Sequence, residues 1–307
     1  MRKLKIVTTS GKRHGCHCMT VLIVLLLGAA SLSQAQTSRF AASYYNRGNE
    51  RYKKGDLDGA IADFDAALAF DPRWALAYNM RGSARYNKGD LDGSITDYTR
   101  AIEIDPYLAL AHYNRGKARR DKGDLDGSIA DYTTAIEINP RLSSAYNNRG
   151  NARRDKGDLD GAIDDLDKAV RLDPHNALVY NNRGLVRRAK GDLQGAIADY
   201  DRAIKINPRL GEAYSNRGNA LQDKGDLGGS IANYESAIKI DPSFAKAYGN
   251  RGLARLFQGD MAAAEKDFDA CLRLDPRLKR SLEEQIEQVK RRLGPGISIA
   301  GPSPRHR

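Results

Sequence analysis

The sequence has few of the residues on which disulfide-bonded, metal-binding and catalytic proteins depend. Its 307 residues include three cysteines, five histidines and one tryptophan. No Ser/His/Asp triad order, glycine-rich phosphate loop or HExxH motif occurs in it. Only Cys271 lies outside the first 35 residues, so a chain without that segment cannot form an internal disulfide. These absences favour a protein that is not an enzyme, with no catalytic residues, no metal and no cofactor.

Long apolar runs are also missing. The longest, residues 21–30, is shorter than the ~20 residues of a membrane-spanning helix. It follows a basic segment and precedes the small residues Ser33 and Ala35. This is the layout of a secretory signal. It predicts that residues 1–35 are a signal peptide, removed from an exported, periplasmic or extracellular protein that then has no membrane span. A retained membrane anchor and an organellar presequence are the alternatives.

Two short motifs resemble metal sites. One is the cluster HGCHC at residues 14–18, which lies in the predicted signal peptide and lacks a fold to hold four ligands. The other is the octet RDKGDLDG, at residues 120–127 and again at 154–161, which resembles the start of a calcium loop. In its first copy the first ligand would be Lys122 and the twelfth Thr133, so both end carboxylates are missing. The octet is better interpreted as a glycine that ends one helix and an aspartate that caps the next.

Positive charge is concentrated at the two ends of the chain. The net charge of +11 suggests nucleic-acid binding at first sight. However, residues 41–276 contain 36 Lys and Arg and 36 Asp and Glu. The excess is +6 in residues 1–40 and +5 in residues 277–307. The sequence therefore predicts no sustained basic face, and it argues against nucleic acid as a partner.

What the sequence does have is a pattern with a fixed period of 34 residues. A glycine that follows arginine recurs at Gly48, Gly82, Gly116, Gly150, Gly184, Gly218 and Gly252. A proline keeps the same step at Pro72, Pro106, Pro140, Pro174, Pro208, Pro242 and Pro276. A second glycine, in KGD or QGD, recurs from Gly55 to Gly259. Seven units therefore fill residues 41–276, and a period of this kind indicates a solenoid.

Each unit is predicted to be a helical hairpin. In the fourth unit the first helix is predicted over residues 145–155 and ends before Gly157. The second is predicted over residues 159–172, where apolar residues recur at helical spacing. Pro174 prevents its continuation. Neither helix can bury its apolar stripe alone, so neighbouring hairpins must stack.

The units resemble tetratricopeptide repeats. The fourth carries Tyr146, Gly150, Gly157, Ala162, Leu166, Ala169 and Pro174 at the positions typical of that family. The resemblance implies an all-α fold, a right-handed superhelical α-solenoid of helix-turn-helix repeats. Residues 277–293 contain an apolar stripe at helical spacing and predict the capping helix that an open solenoid needs. Residues 36–40 are predicted to be a short linker and residues 294–307 a disordered tail.

Charged residues fill positions that are usually apolar in such repeats. Seven units have an arginine before the first glycine: Arg47, Arg81, Arg115, Arg149, Arg183, Arg217 and Arg251. One turn later a second arginine stands in six of them: Arg51, Arg85, Arg119, Arg153, Arg187 and Arg255. An aspartate column on the second helix reads Asp63, Asp97, Asp131, Asp165, Asp199 and Asp267. The sixth unit lacks both charges, with Leu221 and Asn233. We hypothesise that each later arginine pairs with the aspartate of its own repeat; an anion-binding arginine stripe is the alternative.

In this family the first helix of each repeat lines a concave groove that receives extended peptides or partner helices. The resemblance therefore implies a partner-binding groove at Tyr45, Tyr52, Trp74, Tyr86, Tyr107, Tyr113, Lys117, Arg120, Arg154 and Arg188. Aromatic residues dominate its first part and basic residues its middle. This predicts a ligand that is apolar or aromatic at one end and acidic toward the middle. An asparagine column, which includes Asn114 and Asn182, is interpreted as part of the scaffold, with binding of peptide backbone as the alternative.

The sequence therefore predicts a non-enzymatic scaffold that binds a protein or peptide, of unknown identity, in its groove. The alternative is a non-catalytic subunit that recruits substrate to a separately encoded enzyme of the cell envelope.

Overall fold

The computed structural model describes residue 33 and residues 36–293, and every regular element within these residues is helical. The first helix, α1, spans residues 36–53. The N-terminal half continues with α2 (Leu57–Phe70), α3 (Ala75–Lys88), α4 (Leu91–Ile104), α5 (Ala109–Asp121) and α6 (Leu125–Ile138). It is followed by α7 (Ser143–Lys156), α8 (Leu159–Leu172), α9 (Ala177–Ala189), α10 (Leu193–Ile206), α11 (Gly211–Asp223), α12 (Leu227–Ile240), α13 (Ala245–Phe257) and α14 (Met261–Leu274). A 3₁₀ turn, Pro276–Leu278, then leads into α15 (Lys279–Leu293).

The helices divide into two compact units. The N-terminal unit (Met1–Ile138) contains α1 to α6, and the C-terminal unit (Asn139–Arg307) contains α7 to α15. Within each unit consecutive helices pair as hairpins, and each hairpin packs on the next. The predicted all-α helical-repeat fold is confirmed. The second helix of the fourth repeat has the predicted bounds, whereas its first helix, α7, is longer than predicted at both ends.

The octet RDKGDLDG forms the turn inside the hairpin. Gly123 has a φ of +90°, a left-handed conformation that residues with a side chain rarely adopt. Asp124 then caps α6, because its Oδ1 accepts the N–H of Gly127 at 2.9 Å. A Cβ on Gly127 would lie 2.1 Å from Oδ2 of Asp124, which explains the last glycine of the octet. Lys122 contacts Asp92 of the preceding repeat. The interpretation of the octet as two helix ends is confirmed.

The first glycine of each repeat lets the two helices of a hairpin approach closely. A Cβ on Gly82 would lie 2.8 Å from Cε1 of Tyr98, a side chain that is 2% exposed. The next hairpin adds small side chains to the same layer. In the N-terminal unit, Ala84 packs with Ala60 and Phe64, and all three are completely buried. Close packing of these helices therefore depends on small residues at a fixed spacing.

The first repeat presents polar side chains where later repeats present alanine or valine. Ser43 and Glu50 are exposed on α1. The equivalent residues of the second repeat, Ala77 and Ala84, are buried. A terminal repeat with a polar outer face suits a position where no further repeat packs.

At the other end α15 covers the last repeat. Leu282, Ile286 and Val289 are buried on α15 and share a core cluster with Leu256 and Cys271. This helix begins two residues later than the predicted capping helix, because the 3₁₀ turn precedes it.

The prediction of a short linker at residues 36–40 was wrong. These residues are helical and continue directly into the first repeat. Phe40 stacks on Phe70 of α2, with ring centroids 5.7 Å apart, and this contact holds the start of α1 against its hairpin. Apart from Ser33, the predicted signal peptide at residues 1–35 lies outside the described residues. The predicted tail at residues 294–307 also lies outside them.

Candidate partner-binding surfaces

A buried aspartate holds two arginines in six of the repeats. In the second repeat Asp97 is 1% exposed, and its two carboxylate oxygens lie 2.5 Å from Nη2 of Arg81 and 2.9 Å from Nη1 of Arg85. The same pair of contacts recurs at Asp63, Asp131, Asp165, Asp199 and Asp267. The predicted pairing of each later arginine with its own aspartate is confirmed. The role of the earlier arginine was missed, although its constant spacing from the aspartate was visible in the sequence.

The sixth repeat replaces this charged cluster with a neutral one. Nε of Arg217 donates to Oδ1 of Asn233 at 2.7 Å, and Nδ2 of Asn233 donates to the carbonyl of Gly229 at 2.8 Å. Leu221 stands where the second arginine would be. Because the amide needs no second cation, the loss of both charges together leaves no buried group unpaired.

The earlier arginines also join neighbouring repeats. Nη1 of Arg81 lies 2.5 Å from Asp65, on the second helix of the preceding repeat. The Arg81 guanidinium also sits over the Tyr78 ring, 5.2 Å from its centroid. Burial lowers the pKa of Arg81, but hydrogen bonds and charge from Asp97 and Asp65 outweigh it and raise the pKa overall. These guanidinium groups are therefore engaged within the fold, which argues against an anion-binding arginine stripe at these positions.

Aromatic side chains form a surface on the first helices of the N-terminal unit. We define this aromatic surface by Tyr45, Tyr52, Trp74, Tyr86 and Lys117. Tyr45 and Trp74 are in ring contact, with centroids 4.5 Å apart. Tyr52 and Tyr86 occupy equivalent positions on α1 and α3, one repeat apart. All five side chains are partly exposed, so the four rings remain available to a ligand.

Hydrogen bonds fix the tyrosines of the aromatic surface. The Tyr52 hydroxyl accepts a hydrogen bond from Nδ2 of Asn87 at 2.8 Å. The Tyr86 hydroxyl donates to Asp121 of the next repeat. Burial and the Asp121 carboxylate together raise the pKa of Tyr86 to about 12. The Lys117 ammonium lies over the Tyr86 ring, 4.8 Å from its centroid. These rings are therefore held in place before any partner arrives.

Three other predicted groove residues of the N-terminal unit are not among the five that define the aromatic surface. Tyr107 is 81% exposed at the turn between α4 and α5, one residue before the position equivalent to Trp74. Tyr113 is half-buried on α5 and packs on Tyr132, with centroids 5.9 Å apart. Arg120 is half-buried on the same helix and acts electrostatically on Tyr86.

The predicted basic residues of the C-terminal unit are paired with acidic ones. Arg154 lies 2.8 Å from Asp155. Nε of Arg188 lies 2.5 Å from Asp223 of the next repeat. The predicted preference for a ligand that is acidic toward its middle therefore loses its support at Arg154 and Arg188.

Asparagines link neighbouring first helices in both units. Nδ2 of Asn114 donates to Oδ1 of Asn79 at 3.0 Å. Asn182 donates in the same way to Asn147, at 2.9 Å. The acceptor asparagines were missed in the sequence because they do not recur in every repeat. Asn114 and Asn182 each use one amide N–H for this link, and their Oδ1 atoms can still accept a hydrogen bond.

Among the described residues, no helix is long and apolar enough to cross a membrane. Within the same residues, no three His, Cys, Asp or Glu side chains are grouped in the manner of metal ligands.

Stacked antiparallel hairpins of fixed length, with close helix approach at a recurring glycine, define a helical-repeat solenoid. The family model described as TPR repeat matches residues 48–89, 82–119, 116–153, 150–187, 184–225 and 218–259, and a model described as Tetratricopeptide repeat matches residues 245–278. The chain belongs to the tetratricopeptide repeat (TPR) family. This fold serves in general as a scaffold for protein interactions and is generally not catalytic.

Solved structures of TPR proteins share the fold. A tetratricopeptide repeat protein from Parabacteroides merdae is 20% identical, with a TM-score of 0.66 over 82% of this chain and 99% of that chain. The APC/C hetero-tetramer Cut9–Hcn1 gives 18% identity and a TM-score of 0.67 over 81% of this chain. The match covers 48% of that Cut9–Hcn1 chain, about half its length. Pseudomonas aeruginosa PilF is 19% identical, with a TM-score of 0.59 over 69% of this chain and 97% of that chain. These likenesses concern the fold alone, and no curated protein matches the sequence.

Proposed function

We propose that the aromatic surface of the N-terminal unit binds a segment of a partner protein, and that the chain is a non-enzymatic scaffold. The observation that carries the proposal is the set of partly exposed rings of Tyr45, Tyr52, Trp74 and Tyr86, fixed by contacts to neighbouring repeats. Aromatic side chains supply large contact areas with few rotatable bonds, and they dominate binding energy at many interfaces. Because these rings are already held in place, little entropy is lost when a partner binds.

The partner segment is proposed to be extended, with apolar or aromatic side chains. An extended backbone presents N–H groups to the acceptors that asparagines such as Asn114 keep after linking the repeats. The charge of Lys117 is offset by Asp121, which lies beside the same Tyr86 ring. We therefore assign no acidic preference to this part of the ligand.

Affinity capture tests the proposal with three baits. The full chain, a Tyr52→Ala/Tyr86→Ala variant and a Tyr107→Ala variant are compared against the same extract. Tyr107 is a matched control, because it is a more exposed tyrosine outside the aromatic surface. The partner that the full chain captures is expected to be retained by Tyr107→Ala and lost by the double variant. Equal retention by a folded double variant would refute the aromatic surface as the binding site.

Export is proposed on the basis of the sequence. If the apolar run at residues 21–30 belongs to a cleaved signal, the mature protein begins at Gln36 and is recovered in the soluble exported fraction. N-terminal sequencing of the protein from its host measures this directly. An intact N-terminus in the membrane fraction would instead identify an uncleaved anchor.

A further inference from the structure

A row of cations follows one edge of the C-terminal unit. The last turn of each second helix carries a basic residue at a constant spacing of 34 residues: Arg171, Lys205, Lys239 and Arg273. All four side chains are exposed. None of them forms an ion pair with any residue in the part of the chain that the structure describes. This is unusual in a chain whose other arginines are mostly paired with carboxylates.

Three members of the row lack partners because the nearest carboxylates on their own helices contact other arginines. Asp167 and Asp201 stand four residues before Arg171 and Lys205, the spacing at which an acid would offset a base on the same helix. Each instead contacts the arginine of the next repeat: Asp167 lies 2.7 Å from Arg183, and Asp201 lies 2.5 Å from Arg217. Glu235, four residues before Lys239, is held by Arg255 at 3.2 Å. In these three repeats one positive charge therefore remains at the edge, whereas the exposed Asp269, four residues before Arg273, offsets part of the charge in the last repeat.

The turns between hairpins lie along the same edge, because the second helix of each hairpin ends where the turn to the next hairpin begins. These turns add further charge. Their exposed tips carry Arg141, Arg209 and Arg277. The aspartates of these turns offset part of this charge: Asp275 lies 2.8 Å from Nε of Arg277, so Arg277 adds no net charge to the edge. Asp241 accepts the N–H of Ser243 at 2.9 Å, and Asp275 accepts the N–H of Arg277 at 3.1 Å.

The N-terminal unit lacks this row. The residues equivalent to Arg171 there are Ala69, Glu103 and Glu137. The repeats contain equal numbers of acidic and basic residues in total, but at this position the basic residues occur only in the C-terminal unit.

We propose that this edge of the C-terminal unit binds the surface of an anionic lipid bilayer. The cations stand on exposed helix ends and turn tips, where a broad surface can reach several of them at once. A bilayer with anionic lipids has a negative surface potential, and each Lys or Arg near it contributes about 1 kcal/mol to the free energy of binding. An acidic peptide would have to be ordered along the edge for exposed ion pairs worth only about 0–1 kcal/mol each. Single-stranded nucleic acid needs aromatic platforms along its length, and Phe244 is the only Phe, Tyr or Trp in the described turns between the hairpins of this unit.

The test is co-sedimentation of the full chain with phosphatidylcholine vesicles that contain or lack phosphatidylglycerol, at low and high salt. An edge variant carries Arg171→Gln, Lys205→Gln, Lys239→Gln and Arg273→Gln. A control variant with the same change in charge carries Lys53→Gln, Lys54→Gln, Lys224→Gln and Lys266→Gln, which are exposed lysines outside the edge. The basic segment in residues 1–40 also favours the phosphatidylglycerol vesicles, and it is the same in both variants, so the comparison of the edge variant with the control variant isolates the contribution of the edge. Circular dichroism confirms that both variants are folded.

The expected result is binding to the phosphatidylglycerol vesicles that high salt abolishes. The edge variant should lose about tenfold or more of this affinity, whereas the control variant should keep it within about twofold. Binding that is independent of phosphatidylglycerol, or equal loss in both variants, would overturn the proposal. A second contrary outcome is that the full chain binds duplex DNA or polyglutamate more tightly than the vesicles at the same salt, and that only the edge variant loses this binding. The edge would then bind a different polyanion.

Discussion

Asp97 shows how a charged group is accommodated inside a repeat. Its carboxylate is buried, and Arg81 donates to both of its oxygens while Arg85 donates to one of them. Removal of the carboxylate alone would leave two guanidinium groups facing each other in a poorly solvated position. The sixth repeat avoids this problem with Leu221 and Asn233, so the chain itself contains the neutral alternative.

A double-mutant cycle at Asp97 tests this coupling. We expect Asp97→Asn to lower the free energy of unfolding by roughly 3 kcal/mol, because it leaves buried cations unpaired. The double variant Arg85→Leu/Asp97→Asn reproduces the sixth repeat and should recover at least about 1 kcal/mol of that loss, as neighbouring residues in one network are not additive. Urea denaturation followed by circular dichroism measures both. Losses that simply add would contradict the coupling.

At the scale of the helical hairpin, most of the fold could be predicted from glycine, proline and aspartate. The glycine of KGD and the following aspartate predicted the hairpin turn, and the proline predicted the end of the second helix. Each of these effects is local, so the sequence suffices. The contact of Arg188 with Asp223 is different, because a long side chain bends toward the next repeat. Column positions alone do not determine that direction, and this is why the predicted basic middle of the groove proved to be neutralised.

Tyr107 illustrates the same limit. The 34-residue period already places Tyr107 at a turn between repeats, one residue before the position equivalent to Trp74, and the structure has it there. The period does not say which side chain of a turn contacts the first helix. Trp74 packs on Tyr45, with ring centroids 4.5 Å apart, whereas Tyr107 is 81% exposed.

The two glycines of the octet should respond differently to alanine. Gly123→Ala puts a side chain at a φ of +90° and should cost about 1–2 kcal/mol. Gly127→Ala should cost less, although its Cβ would meet the Asp124 carboxylate. The reason is that Ala263 occupies the equivalent position in the last repeat and still donates its N–H to Asp260 at 3.1 Å. Thermal denaturation of the two variants compares them. A larger loss for Gly127→Ala would contradict this account of the turn.

At the scale of the whole molecule, a repeat array must protect its two ends. Ser43 and Glu50 make the outer face of the first repeat polar, and α15 covers the core of the last one. Cys271 lies under α15 and is 2% exposed, and burial raises the pKa of its thiol. Both effects should make the thiol unreactive while α15 is docked.

The reactivity of Cys271 therefore reports the docking of α15. A Leu282→Asp/Ile286→Asp variant places two carboxylates in the apolar contact and should release the helix. We expect the thiol to react with Ellman's reagent at least about tenfold faster than in the parent chain, because exposure raises the thiolate fraction and access together. A Glu283→Gln/Glu287→Gln variant, altered on the exposed side of α15, is the control. An unchanged rate in the double aspartate variant would show that α15 does not protect this core.

The central claim, that the aromatic surface receives the partner, is tested most directly by hydroxyl-radical footprinting of the chain with and without its captured partner. The account predicts that Tyr52 and Tyr86 become protected in the complex. Tyr107, which is 81% exposed, should be oxidised at the same rate in both states and serves as the internal reference. Unchanged oxidation of Tyr52 and Tyr86, with protection confined to the second helices or to the turn at Tyr107, would contradict the claim.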